Sequence, residues 1–194
     1  MDQPPEFEPL KVRCTDTKCE ADLHCFSPNR RKKNWRKEYD GGCQTCGRQL
    51  VDWDRVKARD LSDVEGTFRE LEHELIRHVF FHAELDPKAR AEADRLGIAG
   101  LKAQAREHLH KRIGRPDEIF RDGTQTPKKD SALNFAQHAT ATCCRKCLEY
   151  WYGIPRDRDL TAEELDYFEG LVCAYLDRRA DELSGPRSAA EQPA

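Results

Sequence analysis

The sequence predicts a mainly α-helical protein with a small β zinc ribbon at its N-terminus, and three observations lead to this fold class. Charged residues make up 36% of the 194 residues and hydrophobic residues 38%, so the core must come from amphipathic helices with one buried stripe each. Apolar residues recur at helical spacing in the second part of the chain. The first part is rich in cysteine and has few periodic apolar positions, which is typical of a small module held by metal.

These patterns divide the chain into four segments. Residues 1–10 and 184–194 are rich in Pro, Ala and polar residues, and we expect disordered ends there. Residues 11–58 form a zinc-ribbon-like module, and residues 59–183 form a mostly helical domain with a C-terminal Cys/His cluster. No apolar run has the length of a membrane span and the start has no signal-peptide pattern, so we expect a cytoplasmic protein without membrane contact. Nine cysteines in a reducing compartment indicate metal ligands rather than disulfides.

The N-terminal module contains two pairs of cysteines with metal-ligand spacing. Two short loops that each supply two thiolates suit tetrahedral zinc, and the glycine after the second C-x-x-C pair favours a tight turn past the sulfur. Cys25 could replace a member of the first pair, and His24 is a more remote candidate. The predicted zinc ligands are Cys14, Cys19, Cys43 and Cys46.

A basic segment, "NRRKKNWRK", lies between these pairs. Its cations would attract phosphates, and an indole among them could stack on a base. Such a loop can also bind an acidic protein surface, or it can be a solvated loop whose charge is partly cancelled by acidic neighbours. The residues predicted to contact nucleic acid are Arg30, Arg31, Lys32, Lys33, Trp35, Arg36 and Lys37.

Two helices are predicted after the module. Ser62 and Glu65 form a capping-box pattern before apolar residues that recur at helical spacing as far as residue 82. A second helix begins with Asp86 as its N-cap and Pro87 in the first position, and Gly97 ends it.

The remaining elements follow from similar signals. A third helix ends at Gly114, and residues 115–130 carry two prolines and an Asp-Gly turn signal that predict an irregular loop. Thr161 and Glu164 cap a last amphipathic helix.

The C-terminal cluster combines a histidine with a second C-x-x-C pair. His138, Cys144 and Cys147 are the predicted ligands of a second zinc ion, and the fourth position is left to a distant side chain or to water. A closed fourth position would indicate a structural site, and an open one would allow catalysis. We interpret Cys143 as buried or as an alternative ligand, because neighbouring side chains do not easily point the same way.

The stretch "AQHATATCCRKCLEYW", the following "GIP" and the upstream "QTP" resemble the signature of a bacterial family described only as a domain of unknown function. The similarity extends back to about Leu61, and the zinc ribbon resembles an addition to that domain. The resemblance implies no established activity. Two departures concern possible ligands: Tyr152 stands where the family has histidine, and "KKDSAL" follows "QTP" where the family has Gly-His-Pro.

The function that these features favour is a non-catalytic zinc protein that contacts nucleic acid or a partner protein through the basic segment. The alternative is a zinc-dependent hydrolase. A nucleobase deaminase would use His82-Ala83-Glu84 with Cys144 and Cys147, and Glu84 would then be the catalytic residue. A nuclease using His138 and a thiol redox enzyme are further alternatives.

Overall fold

The computed structural model describes residues 9, 11–29, 31, 33–115 and 125–184. The expected disordered ends lie almost wholly outside these residues. The mainly helical fold class is confirmed. The helices of the described residues are α1 (Trp35–Glu38), α2 (Trp53–Ala58), α3 (Val64–Glu72), α4 (Leu75–His82), α5 (Pro87–Leu109), α6 (Ala132–Ala139), α7 (Arg145–Tyr152), α8 (Ala162–Arg178) and α9 (Ala180–Ser184).

The expected β zinc ribbon is not supported. Within the described ranges the chain forms no β-strand, only two isolated bridges, Lys18 with Leu23 and His24 with Glu74. The second bridge explains the difference. The backbone N–H of His24 donates to the carbonyl of His73 (2.8 Å), and the His24 carbonyl accepts from the N–H of Leu75 (2.8 Å). Backbone groups that would pair within a ribbon are therefore bound to the helical region.

The same bridge divides the helix predicted from Ser62 to residue 82. Helix α3 ends at Glu72 and α4 begins at Leu75, because residues 73 and 74 pair with His24 instead of continuing the helix. The expected capping box is also absent from this start. The side chain of Asp60 accepts from the N–H of Ser62, which lies in a 3₁₀ turn (Leu61–Asp63).

Other predicted helix boundaries are confirmed. Asp86 caps α5 by accepting from the backbone of the first turn, with Pro87 in the first position. Gly97, where the second helix was predicted to end, has φ +64° and a non-helical backbone that divides α5 at a kink, and the helix after the kink passes into a π-helical turn (His110–Gly114). At α8, Thr161 and Glu164 form the predicted capping box, with hydrogen bonds of 3.2 and 3.0 Å.

The core is built around α5, which packs against α6, α8 and α9, while α4 packs against α6 and α2 against α7. Aromatic rings from residues 11–58 pack onto this core. The ring of Phe26 lies 6.2 Å from Trp151, and Trp53 lies 5.1 Å from Trp151. Residues on both sides of position 58 thus share one apolar core, and the division into modules stays a prediction. No helix of the described residues is long and apolar enough to cross a bilayer.

Candidate metal centres

Four side chains from residues 11–58 converge in the structure. Cys19, His24, Cys43 and Cys46 have ligand atoms that all lie within 4.8 Å of one another. We name them the first group. The sulfur atoms of Cys19 and Cys43 are 3.9 Å apart, close to the roughly 3.8 Å expected for two thiolates on one tetrahedral zinc. Nδ1 of His24 lies 3.4 Å from the sulfur of Cys46. Three sulfurs and one nitrogen at this spacing fit a closed tetrahedral site.

A tight turn presents Cys43 and Cys46 to this site. The N–H of Gly47 donates to the carbonyl of Cys43 (2.9 Å), and the N–H of Thr45 donates to its sulfur (3.5 Å). Gly47 has φ +75°, a backbone conformation that favours glycine. The C-x-x-C-G pattern therefore forms the turn for which its glycine was predicted.

A second layer of hydrogen bonds orients His24. The imidazole is fully buried, and its Nε2 lies 3.2 Å from Oδ1 of Asp22. Arg48 donates to the same oxygen at 2.7 Å. The bond from His24 holds the pKa of Asp22 below its usual value. A carboxylate on one imidazole nitrogen leaves the other free as a metal ligand, which is the usual arrangement at zinc sites.

The protonation of the thiols also suits a cation. Burial disfavours the thiolate of Cys43, but hydrogen bonds from backbone groups outweigh it and lower its pKa from 9.0 to about 6. Burial, together with the neighbouring thiols, raises the pKa of Cys19 to about 11. The pKa of Cys43 is thus lowered and that of Cys19 raised, and a bound cation would stabilise both as thiolates.

The structure brings together three of the four predicted ligands of this site, and His24 takes the position expected for Cys14. Cys14 lies elsewhere because its sulfur accepts from Nε2 of Gln125 (2.6 Å). Cys25 is buried, and its thiol donates to the carbonyl of Cys14 (3.1 Å), so it does not point into the first group. Burial raises the pKa of Cys25.

The second group consists of Cys143, Cys144 and Cys147, all buried, with ligand atoms within 4.8 Å of one another. The sulfur of Cys147 lies 3.6 Å from that of Cys143 and 3.5 Å from that of Cys144. Cys144 lies at the N-cap position of α7, without a capping hydrogen bond from its side chain, and Cys147 lies in the first turn. The chain bends at Cys143 and Cys144, so two neighbouring side chains reach the same point.

A fully buried guanidinium contacts this group. Arg77 donates to the sulfurs of Cys143 (3.5 Å) and Cys147 (3.1 Å) and pairs with Glu74 through its Nε (2.9 Å). Burial opposes the charge of Arg77, yet the surrounding acidic groups keep its pKa well above the usual value. The proximity of Cys143, together with burial, raises the pKa of Cys144 to about 12. A bound cation would favour the thiolate forms of this group.

His138, the third predicted ligand, lies outside the second group. Its Nε2 is 2.8 Å from the carbonyl of Thr126, and its ring stacks on Phe80 at 4.5 Å. Helix α6 ends before the bend that carries the cysteines, so proximity in sequence does not bring the imidazole to the sulfurs. Burial lowers the pKa of His138 to about 3, so it is a neutral core residue.

A cavity of about 470 Å³ reaches the second group from the surface. Cys14, Cys144 and Cys147 all line it, together with the cations Arg13 and Lys128. Two of the three thiols of the second group thus line this cavity.

The sequence model of the family described as Domain of unknown function (DUF4186) matches residues 65–177, more than half of the chain. The chain belongs to this family. The second group lies within the matched DUF4186 span, and the first group precedes it. No solved structure matches the chain. Tyr152, where the chain departs from the family resemblance, is buried, and its hydroxyl donates to the carbonyl of Thr140.

A third set of possible ligands within the DUF4186 span comprises Glu72, His78 and His82. Arg178 already occupies the carboxylate of Glu72, at 3.0 Å, and we assign no metal there. Because His82 belongs to this set, it does not share a site with the cysteines as a deaminase would require. Glu84 is exposed. The deaminase alternative therefore gains no support from the geometry.

The basic segment is described only in part. Arg30 and Lys32 lie outside the described residues. Arg31, Lys33 and Lys37 are exposed, whereas Trp35 is half-buried at the start of α1. A cavity of about 200 Å³ lies beside Trp35 and is also lined by Glu38 and Asp40, so acidic groups adjoin the cations. The assignment of Arg36 and the others to nucleic-acid contact stays a prediction.

The sequence did not predict the buried ion pair of Glu74 and Arg77, in which Arg77 also donates to two sulfurs of the second group. One signal was present in "ELIRHVFF", where Arg77 interrupts an otherwise apolar helix. A buried charge is rare unless it is paired, so a charge among apolar residues indicates a partner. The sequence does not show that Arg77, besides pairing with Glu74, also contacts Cys143 and Cys147.

Proposed function

We propose that the chain is a zinc-binding protein in which the first group holds a closed structural site and the second group a further zinc ion. The observation that carries the proposal is the first group itself, four donors from two loops with the histidine oriented by Asp22. Borderline nitrogen and soft sulfur donors in a tetrahedral set favour zinc. A zinc ion there would join the stretch that carries Cys19 and His24 to the stretch that carries Cys43 and Cys46.

The surroundings of the first group support this role. Of the described residues between 11 and 52, only Trp35–Glu38 form an α-helix, and no strand is present. A segment with so little regular structure needs a further source of stability, and bound metal is the usual one in small modules. The other stabilising contacts of residues 11–52 come from side chains such as Phe26, which is fully buried against the helical region.

Metal content tests this proposal. The purified full chain is expected to carry about two zinc ions. Cys46→Ser and Cys147→Ser should each lose one, whereas Cys173→Ser, which changes a partly buried thiol in α8 outside both groups, should lose none. Purified protein without zinc that also fails to take up added zinc under reducing conditions would overturn the proposal.

We further propose that the basic segment contacts nucleic acid and that the protein is not an enzyme. Arg31, Lys33 and Lys37 are exposed on one short stretch of chain, and their charges are available to phosphates. The overall net charge of −3 means that nucleic-acid binding must be local to such a stretch.

A mobility shift with a mixed-sequence single-stranded oligonucleotide tests this contact. Binding should weaken with salt, and reversal of Arg31, Lys33 and Lys37 to Glu should abolish it. Reversal of three exposed cations elsewhere, Arg95, Lys111 and Arg112, is the matched control and should leave most binding intact. Equal loss in both triple variants would show that the segment has no special role, and binding to an acidic protein would then be the alternative.

A further inference from the structure

We infer that Cys14 is the fourth ligand of the second group, so that the metal at this site joins the N-terminal segment to the DUF4186 region. This inference rests on the proposed function and specifies how its second site is completed. It also gives Cys14 a role different from the one its spacing predicts.

The cavity beside the second group offers one further metal-binding side chain. Three thiols leave one corner of a tetrahedral site open, and two of them, Cys144 and Cys147, line the cavity. Among the described residues that line the cavity, Cys14 is the one thiol, carboxylate or imidazole besides Cys144 and Cys147. A protein ligand for the fourth corner therefore comes from Cys14.

Hydrogen bonds already fix the backbone around Cys14 beside the second group. Lys128 donates to the carbonyl of Val12, and the thiol of Cys25 donates to the carbonyl of Cys14. Gln125 donates to the sulfur of Cys14. Thr126, which lies between Gln125 and Lys128, donates its backbone N–H to the carbonyl of Cys143 at 2.8 Å. One loop, residues 125–128, thus positions both Cys14 and Cys143.

Coordination would require the sulfur of Cys14 to move. The sulfur of Cys14 lies outside the 4.8 Å group, where the amide of Gln125 holds it. A change between staggered rotamers moves a cysteine sulfur by about 3 Å without moving the backbone. Metal coordination would replace the single hydrogen bond from Gln125.

The charges around the second group also favour a fourth thiolate. A zinc ion with four thiolates carries excess negative charge, which must be offset in a buried site. Arg77 donates to two of the sulfurs, and Arg13, Lys128 and Lys146 line the cavity above them. No Asp or Glu is among the described residues that line this cavity. Cations are therefore placed where the thiolates would gather.

Cobalt substitution counts the thiolates. In a Cys46→Ser background, which removes the first site, one cobalt should bind with four thiolate ligands. Adding Cys14→Ser should lower the sulfur-to-cobalt charge-transfer intensity by about one quarter and weaken zinc binding at least tenfold. Adding Cys173→Ser instead should change neither. One bound cobalt with the same intensity with and without Cys14 would overturn the inference alone, whereas no bound cobalt in the background would overturn the proposed second site as well.

Alkylation of the unmodified chain provides a second test that needs no variant to fold. Iodoacetamide labelling followed by peptide mapping should show Cys14 protected in zinc-loaded protein and labelled after chelation. Cys173 should label at similar rates in both states, because it lies outside both groups. Equal labelling of Cys14 with and without zinc, in protein whose Cys147 is protected by zinc, contradicts the assignment.

Discussion

The buried carboxylate of Glu74 connects the two parts of the chain, and its replacement by Gln is the most informative perturbation. Glu74 is fully buried and accepts from the backbone of Phe26 (3.2 Å), Nε of Arg77 (2.9 Å), the hydroxyl of Tyr150 (3.1 Å) and Nε1 of Trp151 (3.2 Å). Glutamine keeps the shape but removes the charge. It also turns one acceptor oxygen into a donor that faces other donors.

The expected loss in the free energy of unfolding is large. Removing one partner of a buried ion pair costs about 3–5 kcal/mol, because the other charge stays buried without compensation. Typical domains are stable by about 5–15 kcal/mol, so the zinc-loaded variant should still fold. A loss of this size lowers Tm by roughly 6–20 °C for a chain of this length.

Urea unfolding of the zinc-loaded, reduced protein at pH 7, followed by tryptophan fluorescence, measures this loss. Glu65→Gln is the matched control, since Glu65 is an exposed carboxylate on α3, and it should cost less than about 0.5 kcal/mol. Adding Arg77→Met to Glu74→Gln should cost less than the sum of the two single changes. A loss below about 1 kcal/mol for Glu74→Gln would refute the role given to this carboxylate.

Three further outcomes are expected. Asp22→Asn should weaken zinc binding at the first group about tenfold in a chelator competition, because the charge that orients His24 is lost; unchanged affinity would contradict that role. Gly47→Ala should cost about 1–2 kcal/mol in urea unfolding, because the added Cβ meets no atom within 4 Å and only the φ of +75° is penalised; a neutral result would contradict this reasoning. His138, with a folded pKa of about 3, binds fewer protons folded than unfolded, so stability falls as pH drops below about 6.5. Between pH 7.5 and 5.5 the free energy of unfolding should fall by about 1.4 kcal/mol from this residue. His138→Gln should abolish this fall, whereas the control His82→Gln, at an exposed histidine, should leave it unchanged.

Local chemistry was predictable from the sequence. The turn after Cys43 could be predicted because the glycine conformation and the two thiols belong to one short stretch. The caps at Asp86 and Thr161 were predictable for the same reason, since each depends on residues within one helical turn. These features need no information about distant parts of the chain.

Contacts between distant segments were not predictable. The spacing of Cys14 and Cys19 indicated a pair, but Gln125, more than a hundred residues away, holds Cys14 elsewhere. The break between α3 and α4 depends on His24, whose backbone pairs with residues about fifty positions later. A bend in the chain, rather than helical or extended geometry, lets Cys143 join Cys147.

The spacing of the ligands along the chain has a consequence for biosynthesis. Because domains fold from the N-terminus during synthesis, the first group, complete once residue 46 has emerged from the ribosome, can capture its ion early. The bridge of His24 must wait for residues 73–75, and the second group for residue 147. We therefore expect metal to be acquired in two stages during translation, with the early ion protecting reactive thiols until the rest of the chain arrives to cover them.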